Sequence, residues 1–147
     1  MRTVIRKASV DDASSVAPLF DAYRIFYKQP SDINAAEHFI KERLLKQESV
    51  IFIAFINEEA VGFVQLYPIF TSVGMQRTWL LNDLFVDAAH RGKGIATALL
   101  ESAKDFGKNN NGKWLMLQTG NDNLEAQKLY EKNGWHKETD FFYSISL

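Results

Sequence analysis

"LFVDAAHRGKGIATALL", residues 84–100, runs from an apolar strand through a basic turn with two glycines into a helix. The turn itself, "HRGKGIAT" (90–97), has three candidate phosphate-binding patterns to satisfy. A Walker A loop needs Gly-Lys-Ser/Thr, but Gly94 follows Gly92-Lys93, and Asp87 stands where its first glycine belongs. A dinucleotide fingerprint needs G-x-G-x-x-G; Gly92 and Gly94 fit, but the third position is Thr97, and the remaining chain is too short for further βαβ units. The third pattern, Arg91-x-x-Gly94-x-Ala96 at the start of a helix, is satisfied. Glycines let successive N–H groups face one concavity. The helix start adds unpaired donors and the positive end of its dipole. Arg91 and Lys93 add charge, and the small Ala96 leaves room for a bulky anion. From this loop alone, a pyrophosphate cradle and an ordinary basic strand-to-helix turn both remain open.

The flanking segments supply the context. "TVIRKA" (3–8) predicts a short strand. A helix follows, with Ser9 to cap it, Asp11 and Asp12 in its first turn, and Val16, Leu19, Phe20 and Tyr23 on one face. Residues 33–47 predict a second helix. "VIFIAFI" (50–56) is short, β-branched and apolar throughout, the pattern of a strand buried on both faces. "NEE" (57–59) predicts a hairpin turn into a strand over 60–68, ended by Pro68. Residues 77–86 predict another strand, and 94–109 the strongest helix, with Ile95, Leu99, Ala103 and Phe106 aligned. Residues 113–119 predict a strand and 123–134 a helix: Asp122 and Glu125 have capping-box spacing, and Gly134 is placed to end it. "WHKETDFFYSISL" (135–147) predicts one or two final strands. The order β-α-α-β-β-β-α-β-α-β-β gives a mixed α/β fold, with a mostly antiparallel sheet and helices on both faces. The 77–119 unit is a right-handed parallel crossover. One domain, 1–147, is expected.

The composition bounds the function. The 147 residues carry a net charge of -1 and no cysteine. No disulfide, thiolate metal site or cysteine nucleophile is possible. Mixed charges point to neither nucleic-acid nor membrane partners. The longest apolar run has 7 residues, where a membrane span needs about 20. With no apolar signal core at the N-terminus, a cytoplasmic location is expected. His38, His90 and His136 lack ligand spacing, so no metal is expected.

"LFVDAAHRGKGIATALL" paired with "NDNLEAQKLYEKNGW" (121–135) resembles the GNAT superfamily of N-acetyltransferases, with Asn123, Ala126, Tyr130 and Gly134 at matching spacing. The resemblance covers 76–147 closely and 1–75 more loosely. It implies a GNAT-type fold and acetyl-CoA as cosubstrate, lying between splayed strands 77–86 and 113–119. Main-chain groups of Leu84, Phe85 and Val86 would pair with the pantetheine arm. N–H groups of Arg91, Gly92, Lys93, Gly94, Ile95, Ala96 and Thr97 would hold the pyrophosphate. Asn123 and Ala126 would meet the cofactor arm, with helix capping as the other role of Asn123. Tyr130 matches the general acid that protonates the departing thiolate; its alternative is a core aromatic. Asp83 is the candidate carboxylate for base catalysis, directly or through water, or for attracting a cationic substrate; its alternative is a structural partner at a strand bulge.

By the same topology the acceptor amine would enter over the first two helices and the 68–76 loop. Tyr27, Gln65, Tyr67, Trp79, Asn82 and Asp83 are the candidate substrate contacts, with Tyr23, Phe26 and Phe70 as further aromatic candidates. "QLYPIF" and "WLLNDLFV" resemble the histone/polyamine acetyltransferase-like branch, implying a small primary amine, a polyamine or a lysine side chain. That branch also suggests a homodimer, formed through "FFYSISL" (141–147). Two other functions share the fold: a non-catalytic CoA-binding sensor or interaction module, and an acyltransferase using another acyl-CoA.

Overall fold

The computed structural model describes residues 2–147. Five strands lie in the order β1-β2-β3-β4-β5. They are β1 (Thr3–Lys7), β2 (Val50–Ile56), β3 (Glu59–Thr71), β4 (Gln76–Val86) and β5 (Leu115–Met116). The first three pairings are antiparallel and β4–β5 is parallel. Helices α1 (Ala13–Phe26) and α2 (Ile33–Leu45) cover one face. Helix α3 (Ile95–Asn109) covers the other, and α4 (Leu124–Lys132) follows β5.

Each face has its own core. Ile51, Ile53 and Phe63 pack against Val16, Phe20 and Ile40 of α1 and α2. Val64, Leu66, Trp79 and Leu81 pack against Ile95, Leu99 and Ala103 of α3. Strand β2 therefore is buried on both sides, as its unbroken apolar run requires. The β2–β3 hairpin turns through Asn57 and Glu58, both at positive φ (50° and 67°). That geometry matches the strand twist. Asp21, buried in α1, accepts hydrogen bonds from the Ser31 hydroxyl (2.7 Å) and the Asp32 N–H (2.8 Å), tying α1 to the start of α2.

The pairing of β3 with β4 contains one irregularity with large consequences. Gln65 faces Asp83 and Leu66 faces Leu81, so Asn82 is an extra residue, a β-bulge. Before it, Trp79 and Leu81 point into the α3 core; after it, Leu84 and Val86 do. Asp83 and Phe85 are thereby turned to the α1 side. An uninterrupted strand would have left Asp83 facing α3.

Three expectations are corrected. Strand β3 runs on past Pro68, which pairs with Trp79. Beyond Leu66 it has left β2 behind, and an edge tolerates a missing N–H. Strand β5 is two residues, not seven, because the chain diverges from β4 after Met116. The final strands over 135–147 are absent: His136–Leu147 is exposed and belongs to no element. By contrast, α4 ends as expected, with Gly134 at φ 88°. The Trp135 N–H donates to the Tyr130 carbonyl (3.0 Å) and the Gly134 N–H to that of Glu131 (3.2 Å), a Schellman ending.

Candidate functional site

Strands β4 and β5 pair only at Trp79–Leu115 and Leu80–Met116. From Leu81 onward, among the described residues, β4 has β3 on one side and no strand on the other. Its unpaired edge opens a cleft of about 550 Å³. Leu84, Phe85 and Val86 form one wall; Leu117, Gln118 and Thr119 form the facing one. The 91–97 turn closes one end, α4 another side, and Tyr23, Phe26 and Tyr27 of α1 the mouth.

At the turn, Gly92 and Gly94 adopt φ of 76° and 79°. An added Cβ at either would meet nothing within 4 Å, so the glycines are there for the left-handed backbone, not for space. Gly94 is the N-cap of α3, and no side chain caps that end. The other two helices that open onto loops differ: Asp32 accepts from the Ala35 N–H at α2 (3.1 Å), and Asn123 from that of Ala126 at α4 (3.2 Å). An uncapped, glycine-led helix start offers main-chain donors and a positive dipole end to an outside anion. Ile95, Ala96 and Thr97 line the cleft there. The donor set suits phosphate oxygens. Arg91 also lines it, but its Nε donates to the Val86 carbonyl (2.9 Å), and its guanidinium lies 5.4 Å from the Phe85 ring. Its side chain braces the end of β4. Lys93 is exposed and is not part of the wall.

Tyr130 lines the cleft from the last turns of α4, and Asn123 and Ala126 line it from that helix's start. Its ring is 6.1 Å from that of Trp135. Burial, with a smaller contribution from Tyr27, raises the Tyr130 hydroxyl above the usual phenol value, so it holds its proton at neutral pH.

Asp83 lies behind the wall, only 2% exposed. The Asn82 Nδ2 donates to it (2.9 Å), and so does the Gln65 Nε2. The Tyr23 hydroxyl donates to the Asn82 carbonyl (3.1 Å) at the bulge. Burial pushes the Asp83 carboxyl above the ordinary range; the hydrogen bonds from Gln65 and Asn82, with the Tyr23 hydroxyl close by, pull it part of the way back. Burial, reinforced by the charge of Asp83, also raises Tyr23 and Tyr67. A buried carboxylate with a raised pKa among neutral phenols suits the role of proton acceptor.

Of the expected substrate contacts, Tyr27 and Asn82 line the cleft. Gln65 is fully buried and holds Asp83 from behind, its Oε1 without a partner. Tyr67 is half-buried near Asp83, off the cleft wall. Trp79 is not at the mouth: it is 3% exposed, edge-on to Phe106 at 5.2 Å under α3. The Asn82 bulge separates its face from that of Asp83. Phe70 lies off the wall too, exposed beneath the Arg77 guanidinium at 4.9 Å. The wall residues Leu117, Gln118 and Thr119 lie in the 113–119 segment expected to flank the cosubstrate, though none was singled out, and Leu129 had no signal in the sequence. His90 also borders the cleft, with Nδ1 3.1 Å from Asp87 Oδ2. Among the described residues, no cluster of three or more His, Asp or Glu could hold a metal ion, and no helix is long and apolar enough to cross a membrane.

Residues 16–135 match the model of the Acetyltransferase (GNAT) family. An uncharacterized N-acetyltransferase, YhfO, of Bacillus subtilis (strain 168) is 50% identical over 139 residues, covering 95% of this chain and 93% of that protein. A probable acetyltransferase of Haemophilus influenzae is 40% identical over 101 residues, covering 68% and 69%. Among solved structures, a probable acetyltransferase superposes with a TM-score of 0.91 at 36% identity, covering 100% of this chain and 98% of that one. A ribosomal-protein-alanine N-acetyltransferase from Brucella melitensis biovar Abortus 2308 gives 0.85 at 25% identity, covering 99% of each.

Proposed function

Since the chain belongs to the GNAT family of acetyltransferases, we propose that it moves the acetyl group of acetyl-CoA to a primary amine by direct attack in a ternary complex. The whole of 1–147 is read as one acetyltransferase domain. The acceptor class is a small amine, a polyamine or a lysine or peptide amine. One observation carries the reading: a single cleft joins the uncapped, glycine-led start of α3 to the buried phenol of Tyr130, along the unpaired edge of β4.

The main-chain donors of 91–97 hold the pyrophosphate, and the β4 edge at Leu84–Val86 pairs with the pantetheine arm as an added strand would. Acetyl-CoA supplies the acyl group as a thioester. The amine nitrogen forms the new N–C bond as the C–S bond breaks. Tyr130 gives its hydroxyl proton to the departing thiolate. Asp83, held by Gln65 and Asn82, takes the amine proton directly or through water, or draws the cationic amine in. Gln65 is thus a positioning residue, and Tyr23 and Tyr27 provide aromatic faces for an ammonium group.

A panel of primary amines, assayed with acetyl-CoA for thiol release, tests this. Turnover with at least one amine is expected, and Tyr130→Phe lowers it by ~100-fold or more, the usual scale of acid catalysis, with acetyl-CoA affinity unchanged. Binding of acetyl-CoA without turnover across the panel means a CoA-binding module instead. Faster turnover with another acyl-CoA corrects the donor.

A further inference from the structure

The mouth of the cleft is rich in aromatic rings and poor in negative charge. A row of rings runs outward along it. Phe85 of the β4 wall meets Tyr23 at 6.3 Å, Tyr23 meets Tyr27 at 5.0 Å, and Tyr27 meets Phe26 at 5.2 Å, each pair edge to face. Exposure rises along the row: Phe85 and Tyr23 are half-buried, Tyr27 is 53% exposed and Phe26 60%. The inner rings reach the reacting groups. The Tyr23 hydroxyl donates to the Asn82 carbonyl beside Asp83, and Tyr27 stands close enough to Tyr130 to act on its hydroxyl. Two neighbouring aromatic side chains left bare at the lip of a cleft are apolar area that a bound ring would cover.

Carboxylates are what this mouth lacks. Asp21 is the one acid of α1, and Asp32 the one acid between α1 and α2. Asp21 is engaged by Ser31 and the Asp32 N–H, and Asp32 by the Ala35 N–H. Residues 68–77 carry no acid. Glu125 is the one acid lining the cleft, and Lys128 and Lys132 line it from the same helix. Arg24 and Lys28 flank the two bare rings in sequence. Asp83 is thus the carboxylate placed for an acceptor, and one carboxylate holds one ammonium. A second ammonium at the lip would gain little from a ring that water also reaches. An apolar ring in the same place leaves water and is favoured by its area.

We infer that the acceptor is a primary monoamine bearing an aryl group, its nitrogen toward Asp83 and its ring against Tyr27 and Phe26. The inference rests on the acetyl-transfer reading of the cleft and narrows it. Diamines, polyamines and lysines within basic peptides are the disfavoured acceptors. Tyr27 and Phe26 then set specificity, acting on the part of the acceptor that does not react.

Three probes share a primary amine and differ in the rest: phenethylamine, butylamine and diaminobutane. Each is assayed with acetyl-CoA for thiol release. The value of kcat/KM should fall in that order, with phenethylamine ahead of butylamine by ~10-fold, the scale of one ring contact with its buried area. Phe26→Ala should remove most of that lead through KM, and Phe26→Trp should keep it. Phe26→Glu should raise diaminobutane relative to butylamine. The ratios are taken between amines within one variant, so any loss of folded protein cancels. Butylamine or diaminobutane ahead of phenethylamine, or a lead that survives Phe26→Ala, overturns the inference and leaves acetyl transfer standing. If none of the three is acetylated, the melting temperature of the CoA-loaded chain decides. A rise with phenethylamine alone upholds the preference of the mouth and counts against the transfer reading; any other pattern overturns the inference.

Discussion

Gly94 and Asp83 show two ways a single residue shapes this site. Gly94 sits at φ 79° with open space where a Cβ would go, so a side chain there costs backbone strain, not a clash. A β-branched residue in that region is an outlier. Gly94→Val should therefore move the start of α3 and raise the acetyl-CoA dissociation constant by ~10-fold or more, about 1.4 kcal/mol, with the fold retained. Calorimetric titration checks it, and unchanged affinity means the cradle lies elsewhere. Asp83 is costly as an anion. Its folded pKa is raised by burial, so the stability of its acid form is fully present below the unfolded carboxyl value of about 4 and is lost as pH rises through the folded one. Asp83→Asn should accordingly gain in melting temperature over the parent as pH rises from about 4 upward, while acetylation falls. A gap in melting temperature that does not vary with pH would contradict this. The glycines were legible because φ above zero leaves a compositional mark. Trp79 was misplaced because grouping it with Asp83 treats β4 as regular; a bulge was named only as an alternative setting for Asp83, and Asn82 carries no glycine or proline to mark it.

At the level of elements, periodic patterns were read well and lone ends poorly. Val50–Ile56 coincides with its apolar run, since seven consecutive apolar residues fit only a strand covered on both faces. Of the two candidate caps of α4, Asn123 rather than Asp122 takes the position, because neighbouring Asx side chains are near-equivalent caps. The final strands had the right pattern but no partner in their own chain, and a strand exists only by pairing. Between α3 and β5, Gly112 marks a constraint that periodicity does not reveal. An added Cβ would lie 2.7 Å from the Trp79 ring and 2.9 Å from the Gly107 carbonyl oxygen. Trp79 is itself wedged against Phe106. Gly112→Ala should cost about 1–3 kcal/mol by overpacking, read as a lower urea midpoint with unchanged slope. An unchanged midpoint would show that the loop yields freely.

Over the whole molecule, chemistry and packing divide between the two faces of one sheet. The α3 side is an apolar core. The α1–α2 side carries Asp83, Gln65 and Tyr23 beside its own core. The cleft arises where the sheet fails to continue, between β4 and β5. The division was partly legible: element order and the turn at 90–97 located the cleft, but nothing local told which side chains shared a face, since that depends on register across two strands. It follows that a change of length at position 82 should act on how Asp83 is held, not on which face it occupies. Removing Asn82 would leave Leu81 and Asp83 adjacent opposite Leu66 and Gln65 in regular alternation, with Asp83 still on the α1 side but without the Asn82 amide that bonds it and the Asn82 carbonyl that accepts from Tyr23. An alignment gap at that position would therefore mark lineages that anchor the same carboxylate by other contacts.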